Sequence, residues 1–558
     1  MEQGENKKTG FLVQGTILAV ASIISRIIGL LYRLPLTGII GKRGNNYYGT
    51  AFEVYSIMLI ISAYSIPLAV SKLVAAKKAR GEMKNIDKIL KGSLLFAAIS
   101  GGGATLIVFF GADFFTGDMM LRTPLASIAL RVLAPVILIV AVVGVLRGFF
   151  QGLGSMMPSA ISQIIEQIIN AVVSVAAAYF LFSRGKIIGA ILNNPDEYAA
   201  AYGAAGGTLG TAIGALSALL FMAFIYLTFS RSFKRKIRRD KSTTEESYGS
   251  ILKVLVLTIV PVLLSTTLYN ISAIIDTGLF KQIANIQGYD QIAIDEWWGV
   301  FTGQYRVIIN VPVSIASAMA ASSVPALTEA FHLGDHDLMK SQIDSATRLV
   351  MIIAIPCMVG LAVLAGPIMQ LLFGDTDPVS GYMLLVGSIS VVFYSLSTLS
   401  NGLLQGIDKM RLPVIHAAIA LVAQAVFLVL CMFVFRLNIF AVVLANAFYA
   451  LLMCVLNGLS LYKYSKVRSD IQKTYIRPAL ASLIMGVVTF GVFQLTMLAS
   501  HRNSVSCIVA IVIAIPVYFV AILLLGGISE KEIRAFPKGD AIVGLTKRLH
   551  LLKEETKQ

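Results

Sequence analysis

The sequence predicts an all-α integral membrane protein of about fourteen transmembrane helices, built as two related six-helix lobes plus a C-terminal pair. Three observations predict it. Hydrophobic residues make up 57% of the 558 and charged residues only 14%, at a mean hydropathy of +0.79. That leaves too little polar surface to cover a water-soluble globule. The apolar runs are long and unalternated, as helices crossing a bilayer core of about 30 Å require and barrel strands do not. Finally, short landmarks recur in the same order along the chain at nearly one offset.

The first span runs over 11–40. Behind Lys7 and Lys8 its opening resembles a signal peptide, but it continues through Arg26 and Arg33 with no small-residue cleavage site, so it reads as a membrane helix. The spans 47–76, 88–111, 124–148, 158–182 and 204–229 complete a first lobe, assigned to residues 1–240. Spans 251–277, 299–322, 347–372, 382–405, 413–435 and 438–462 form a second lobe within 241–470. Spans 477–499 and 505–526 stand outside the repeat, in 471–528, and 529–558 is a cytoplasmic tail. The basic stretch RSFKRKIRRDK, from Arg231 to Lys241, reads as the linker between lobes and as a topology determinant rather than a lipid-binding patch.

A net charge of +16 raises nucleic acid as a partner, but the placement of the cations excludes it. With the N-terminus taken as cytoplasmic, 34 of the 46 Lys and Arg lie in inner segments, eight in outer loops and four within spans. Orientation follows that bias. Both termini are expected to be cytoplasmic, and an odd helix count would break the pattern.

The repeat rests on three pairs of landmarks. The fourth span ends in Gly148-Phe149-Phe150-Gln151-Gly152 with Pro158 after it, and the tenth in Gly402-Leu403-Leu404-Gln405-Gly406 with Pro413 after it. Asp118 and Asp375 follow the third and ninth spans, and Gly81 and Gly334 end the polar extensions of the second and eighth. Each landmark lies about 254 residues from its partner, an interval of six helices that preserves orientation. The duplication is therefore parallel, an arrangement in which transporters commonly place substrate between halves.

Charged side chains within spans cost roughly 2.5 to 3.5 kcal/mol each on insertion scales, so they face a cavity or a partner. Arg26 lies midway along the first span, and Arg33 follows two turns later on the same face. Arg131 in the fourth span and Arg306 in the eighth enter from the outer side. Glu53 sits in the outer half of the second span and Glu166 in the inner half of the fifth. For Arg33 and Arg306, snorkelling or pairing with Glu53 weighs equally with a cavity role. For Arg26 the depth makes snorkelling expensive. A guanidinium fork donates to phosphate in bidentate fashion and keeps its proton, so an inward-facing arginine favours an anionic head group. Glu166 reads as a cation or proton site, or as the internal partner of an arginine.

Soluble-enzyme signatures are absent: there is no GxxxxGK[ST], GxSxG or HExxH. His332 and His336 read as a solvated face rather than a metal pair. Cys357, Cys431, Cys454 and Cys507 lie in spans without paired spacing, and no cofactor or metal is called for.

The segments SRIIGLLYR (25–33), SKLVAAKKARG (71–81), RGFFQG (147–152), QIIEQ (163–167) and QYRVIINVP (304–312) resemble the polysaccharide flippases of the multidrug/oligosaccharidyl-lipid/polysaccharide (MOP) exporter superfamily. The resemblance is strongest to its stage V sporulation protein B branch, which is similar to lipid II flippases. It implies a substrate diphosphate held by Arg26, Arg33 and, within one residue of register, Arg306; the placement of Glu53, Arg131 and Glu166 within spans adds a cavity or ion-coupling role for them. It further implies a polyprenyl-tail groove beside the last two helices. The implied function is flipping of an undecaprenyl-diphosphate-linked sugar, foremost lipid II, from inner to outer leaflet by alternating access, with no enzymatic step. The implied setting is a bacterial cell membrane, with membrane lipids and cell-wall synthesis machinery as partners. Two departures stand out: Leu34 occupies the place of an acid found in Gram-negative relatives, and residues 62–71 lack those relatives' second-helix arginine. The alternatives are a cation-coupled multidrug exporter, a flippase for another lipid-linked glycan, and an intramembrane polymerase or ligase.

Overall fold

In the computed structural model of the chain, residues 21–22, 24–240, 246–257, 259, 271–467 and 470–528 are described, and among them there are helices and no strands. Residues 24–31 are helical and run through Tyr32 into α1 (Arg33–Leu59), which breaks at Gly41 (φ 68°, ψ −175°). Only glycine adopts that backbone cheaply, and the Asn45 amide donates to the Gly41 carbonyl at 2.8 Å. The break divides the expected first and second spans. A π-turn at Ile60–Tyr64 leads into α2 (Ile66–Ala79), whose second residue, Pro67, has no N–H to offer. Hydroxyls repair the disturbed ladder: Ser62 donates to the Met58 carbonyl at 2.7 Å, and Ser100 to the Ser62 carbonyl at 3.2 Å.

The first unit continues with α3 (Met83–Thr116), α4 (Ala126–Gly152), α5 (Met157–Ile191) and α6 (Pro195–Arg239), then α7 (Ser272–Ile286) and α8 (Gln291–Val300). Helices α5 and α6 pack closely because α6 presents Gly206, Gly210 and Gly214 along one stripe. A Cβ at any of them would fall within 2.7 Å of α5 atoms at Ala177, Ser174 or Glu166. At 45 residues α6 is roughly 67 Å long, far more than a bilayer core needs. The stretch expected as an inter-lobe linker is therefore helical as far as Arg239. Its Phe233 is buried against Phe149 and Phe229, so an aromatic cluster holds this extension.

The second unit holds α9 (Arg306–Leu333), α10 (His336–Val363), α11 (Ala365–Phe373), α12 (Pro378–Gly387), α13 (Ser390–Gly406), α14 (Arg411–Phe433), α15 (Ile439–Ser465), α16 (Arg477–Ser500) and α17 (Asn503–Leu524). The last pair is tied to its own unit at one end. Arg477 donates to the Gly526 carbonyl at 2.5 Å and Arg348 of α10 to the Gly527 carbonyl at 2.7 Å.

Among the described residues ten helices are long and apolar enough to cross a membrane, eleven if the bent α12–α13 pair is one span. Three features relate this to the expected fourteen, the first being that α9, the expected eighth span, is not among the helices counted. Arg33–Ala79 counts once although Gly41 breaks it, and 12 of the 27 positions of the expected seventh span, 258 and 260–270, lie outside the described residues.

The duplication is written into the backbone. After Gln151, Gly154 N–H bonds the Gln151 carbonyl at 2.9 Å and Ser155 N–H the Phe150 carbonyl at 2.9 Å. After Gln405, Asp408 N–H bonds the Gln405 carbonyl at 3.1 Å and Lys409 N–H the Leu404 carbonyl at 2.9 Å. Gly81 and Gly334 are both left-handed, at φ 77° and 68°. Gly152 packs on Val74 as Gly406 packs on Leu327.

The two compact units divide at Gly303/Gln304, later in sequence than the lobe boundary expected at 240/241. The cause is local: α8 is pressed onto the start of the second helix. A Cβ on Gly299 would lie 1.8 Å from the Lys42 carbonyl oxygen, and one on Gly303 2.4 Å from Asn45 Cγ.

Candidate functional site

The polar interior of the first unit starts from helix 1. Ser22 donates to Gln163 Oε1 at 3.1 Å, and a Cβ on Gly29 would sit 3.5 Å from Gln167 Oε1. One face of helix 1 thus looks onto the QIIEQ segment of α5. Arg26, four residues after Ser22 and three before Gly29, shares that face and is exposed.

Arg33 is partly buried. Its guanidinium carbon lies 4.3 Å from the centroid of Tyr48 and 5.8 Å from that of Phe52, and the two rings stack at 4.6 Å. A hydroxyl chain continues from there. Tyr48 and Tyr32 hydroxyls lie 3.5 Å apart, Asn170 of α5 donates to the Tyr32 hydroxyl at 3.5 Å, and Ser174 and Thr211 donate to Asn170 Oδ1 at 2.8 and 3.5 Å. Among the described residues, neither Arg26 nor Arg33 has a carboxylate within ion-pair distance.

Several of the other intramembrane charges have ion-pair partners. Arg147 donates through Nε to Ser162 at 2.8 Å and through Nη2 to Glu166 at 2.7 Å, tying α4 to α5. Counted as an inner-loop cation by sequence, Arg147 is instead the partner of Glu166. Arg131 pairs with Asp113 of α3 at 2.5 Å, both well exposed. Glu53 is buried and accepts from Thr277 of α7. Arg306 opens α9 in the second unit, partly buried, directly after a π-turn at Phe301–Tyr305. Arg26 and Arg33 thus both lie on the helical stretch before Gly41, whereas Arg131 and Glu166 belong to separate ion pairs and Glu53 accepts from a threonine.

Lys281, counted as an outer-loop cation, is fully buried in the first unit. Its ammonium donates to Asn46 Oδ1 at 2.7 Å, to Thr50 at 3.3 Å and to Thr123. Asn46 in turn donates to Asp295 of α8 at 2.9 Å. Burial pushes the Lys281 ammonium down to about 8, against the pull of Asp295 and Glu53. Burial raises Asp295 despite Lys281 beside it.

In the second unit α13, α14 and α15 meet through two amides and an imidazole. His416 Nδ1 and Asn457 Oδ1 are 2.7 Å apart, and Asn457 donates to Asn401 at 2.7 Å. Asn401 and His416 stand at the same offset from Arg147 and Ser162 as Gln405 does from Gln151. His332 lies 3.3 Å from Asp408, both exposed.

The described helices make a multi-pass helical membrane protein with cations and hydroxyls inside its first unit. The chain belongs to the polysaccharide biosynthesis protein family, which it matches over residues 12–331. It is 26% identical over 429 residues to the lipid II flippase MurJ of Bacillus subtilis, covering 74% of this chain and 76% of that one. It is also 26% identical over 379 residues to stage V sporulation protein B of the same organism, covering 66% and 68%. Among solved structures, a multidrug resistance MATE family transporter in an inward-facing conformation aligns at TM-score 0.64 and 18% identity over 79% of this chain and 94% of that one. Lipid II flippase MurJ in an inward closed conformation aligns at 0.62 and 17% over 91% and 98%. These two likenesses establish the fold.

Proposed function

We propose that this protein is a flippase for a lipid-linked sugar diphosphate, foremost lipid II, carried from the inner to the outer leaflet of a bacterial cell membrane. The observation that carries the reading is the pair of helix 1 arginines without a carboxylate partner. Arg131 and Glu166 each have an ion-pair partner, whereas among the described residues Arg26 and Arg33 have none, and such a pair of cations in an apolar span fits a ligand that brings negative charge with it. Bidentate donation to phosphate oxygens suits both residues. Sequence relatedness to a lipid II flippase supports the substrate class, and relatedness to a sporulation protein keeps other cell-wall glycans as a second reading. A cation exporter fits less well, because Glu166 is bound by Arg147 and Glu53 by Thr277.

The test is complementation of a flippase-depleted strain together with flipping by purified protein in vesicles. Arg26→Ala is expected to abolish rescue while the protein remains in the membrane at normal abundance. Full rescue by that variant overturns the diphosphate role.

A further inference from the structure

We propose that Tyr48 and Phe52 are positioning residues for Arg33, forming an aromatic shelf that holds the guanidinium flat and turns its N–H edge toward two oxygens of a lipid diphosphate. The inference rests on the reading above and adds how one of the two arginines is aimed.

A guanidinium carbon 4.3 Å from the Tyr48 centroid lies at stacking distance from the ring, and the second ring, Phe52, backs the first at 4.6 Å. Face-on stacking uses the π surface and leaves the in-plane donors free, which a salt bridge would not. Lysine cannot reproduce this, having no plane. The shelf is itself fixed. Tyr48 is fully buried, and a Cβ on Gly207 of α6 would come within 3.1 Å of its ring, so α6 closes it from behind. Its hydroxyl joins the chain through Tyr32 to Asn170, which Ser174 and Thr211 orient. Arg33 is thus aimed by three other helical segments although none of them supplies a counter-charge.

Farnesyl diphosphate and farnesyl monophosphate, titrated against the purified full-length protein in detergent, test the shelf. A desolvated cation–π contact of about 1.4 kcal/mol corresponds to a tenfold change in affinity. Tyr48→Leu is expected to weaken diphosphate binding about tenfold and to lower the preference over monophosphate, Arg33→Lys to do the same, and Tyr48→Phe to stay within about twofold of the parent. In an Arg33→Ala background, adding Tyr48→Leu should change nothing more. Phe52→Leu, a milder change at the back of the stack, should give a smaller loss with the same dependence on Arg33, and it serves if Tyr48→Leu fails to fold. Equal losses from the shelf variants with and without Arg33 overturn the positioning role while leaving the diphosphate reading intact. Unchanged diphosphate binding by Arg33→Ala overturns both.

Discussion

Replacing Lys281 with methionine removes a charge that its surroundings disfavour, and the effect should carry a pH signature. Burial takes this ammonium from 10.5 to about 8. At about 1.4 kcal/mol per pH unit, charging it inside the fold costs about 3 kcal/mol relative to the unfolded chain. A lysine with a lower pKa folded than unfolded binds fewer protons in the fold. Its destabilising effect is therefore full below pH 8 and fades as pH rises to 10.5. Methionine carries no such term, and the acceptors it orphans have other partners: Thr123 bonds the Leu121 carbonyl at 2.9 Å and Thr50 bonds Asn46 Oδ1 at 3.4 Å. Losing the lysine's hydrogen bonds should cost roughly 1–3 kcal/mol, so near pH 7 the two effects offset and the proteins should melt close together. Between pH 8 and 10.5 the parent should gain about 3 kcal/mol over the variant. Both tryptophans, Trp297 and Trp298, lie on α8, with the ammonium 5.9 Å from the Trp298 ring, so intrinsic fluorescence reads the relevant element during thermal unfolding in detergent. Parallel melting-temperature profiles for the two proteins across that window would refute the reasoning.

Arg147→Met should lower the melting temperature in detergent by more than the double variant Arg147→Met/Glu166→Gln, because the single change leaves a partly buried carboxylate without its cation. Asp113→Ala, by contrast, breaks a well-exposed pair with Arg131 and should change stability by less than about 1 kcal/mol in the same assay. Gly299→Ala should destabilise by about 1–3 kcal/mol and red-shift tryptophan emission, since its Cβ would be driven into the Lys42 carbonyl and α8 would have to lift away. An unshifted spectrum with an unchanged melting temperature would show that α8 has slack there.

The helices and the duplication were legible in the sequence because both are carried by short-range patterns. An apolar run of twenty residues has few other destinations, and the Gln151 and Gln405 motifs end their helices with the same turn. Arg26 and Arg33 were legible for a related reason, a seven-residue spacing on one apolar span. Arg147 and Lys281 were not. Each stands at the edge of an apolar segment, where composition alone says loop cation. What removes them from water is a tertiary neighbour: Glu166 nineteen residues away for one, Asn46 235 residues away for the other. A weak signal existed for Arg147, since Ser162 and Glu166 share a helical face four residues apart with the chain doubling back between. Lys281 offered none, because burial of an ammonium by hydroxyl and amide oxygens has no sequence spacing. The Tyr48–Phe52 shelf was equally hidden, as an aromatic pair four residues apart on an apolar helix reads as ordinary packing.

The π-turn at Phe301–Tyr305 has a bearing on Arg306. Such a turn holds one residue more than an α-helical turn, so the eighth helix absorbs an insertion before the arginine without reframing everything after it. Deleting a single residue from 301–305 would return the segment to regular winding and swing Arg306 about 100° around the axis. The direction in which Arg306 leaves its helix is therefore set by the winding of the five residues before it as much as by its place in the chain.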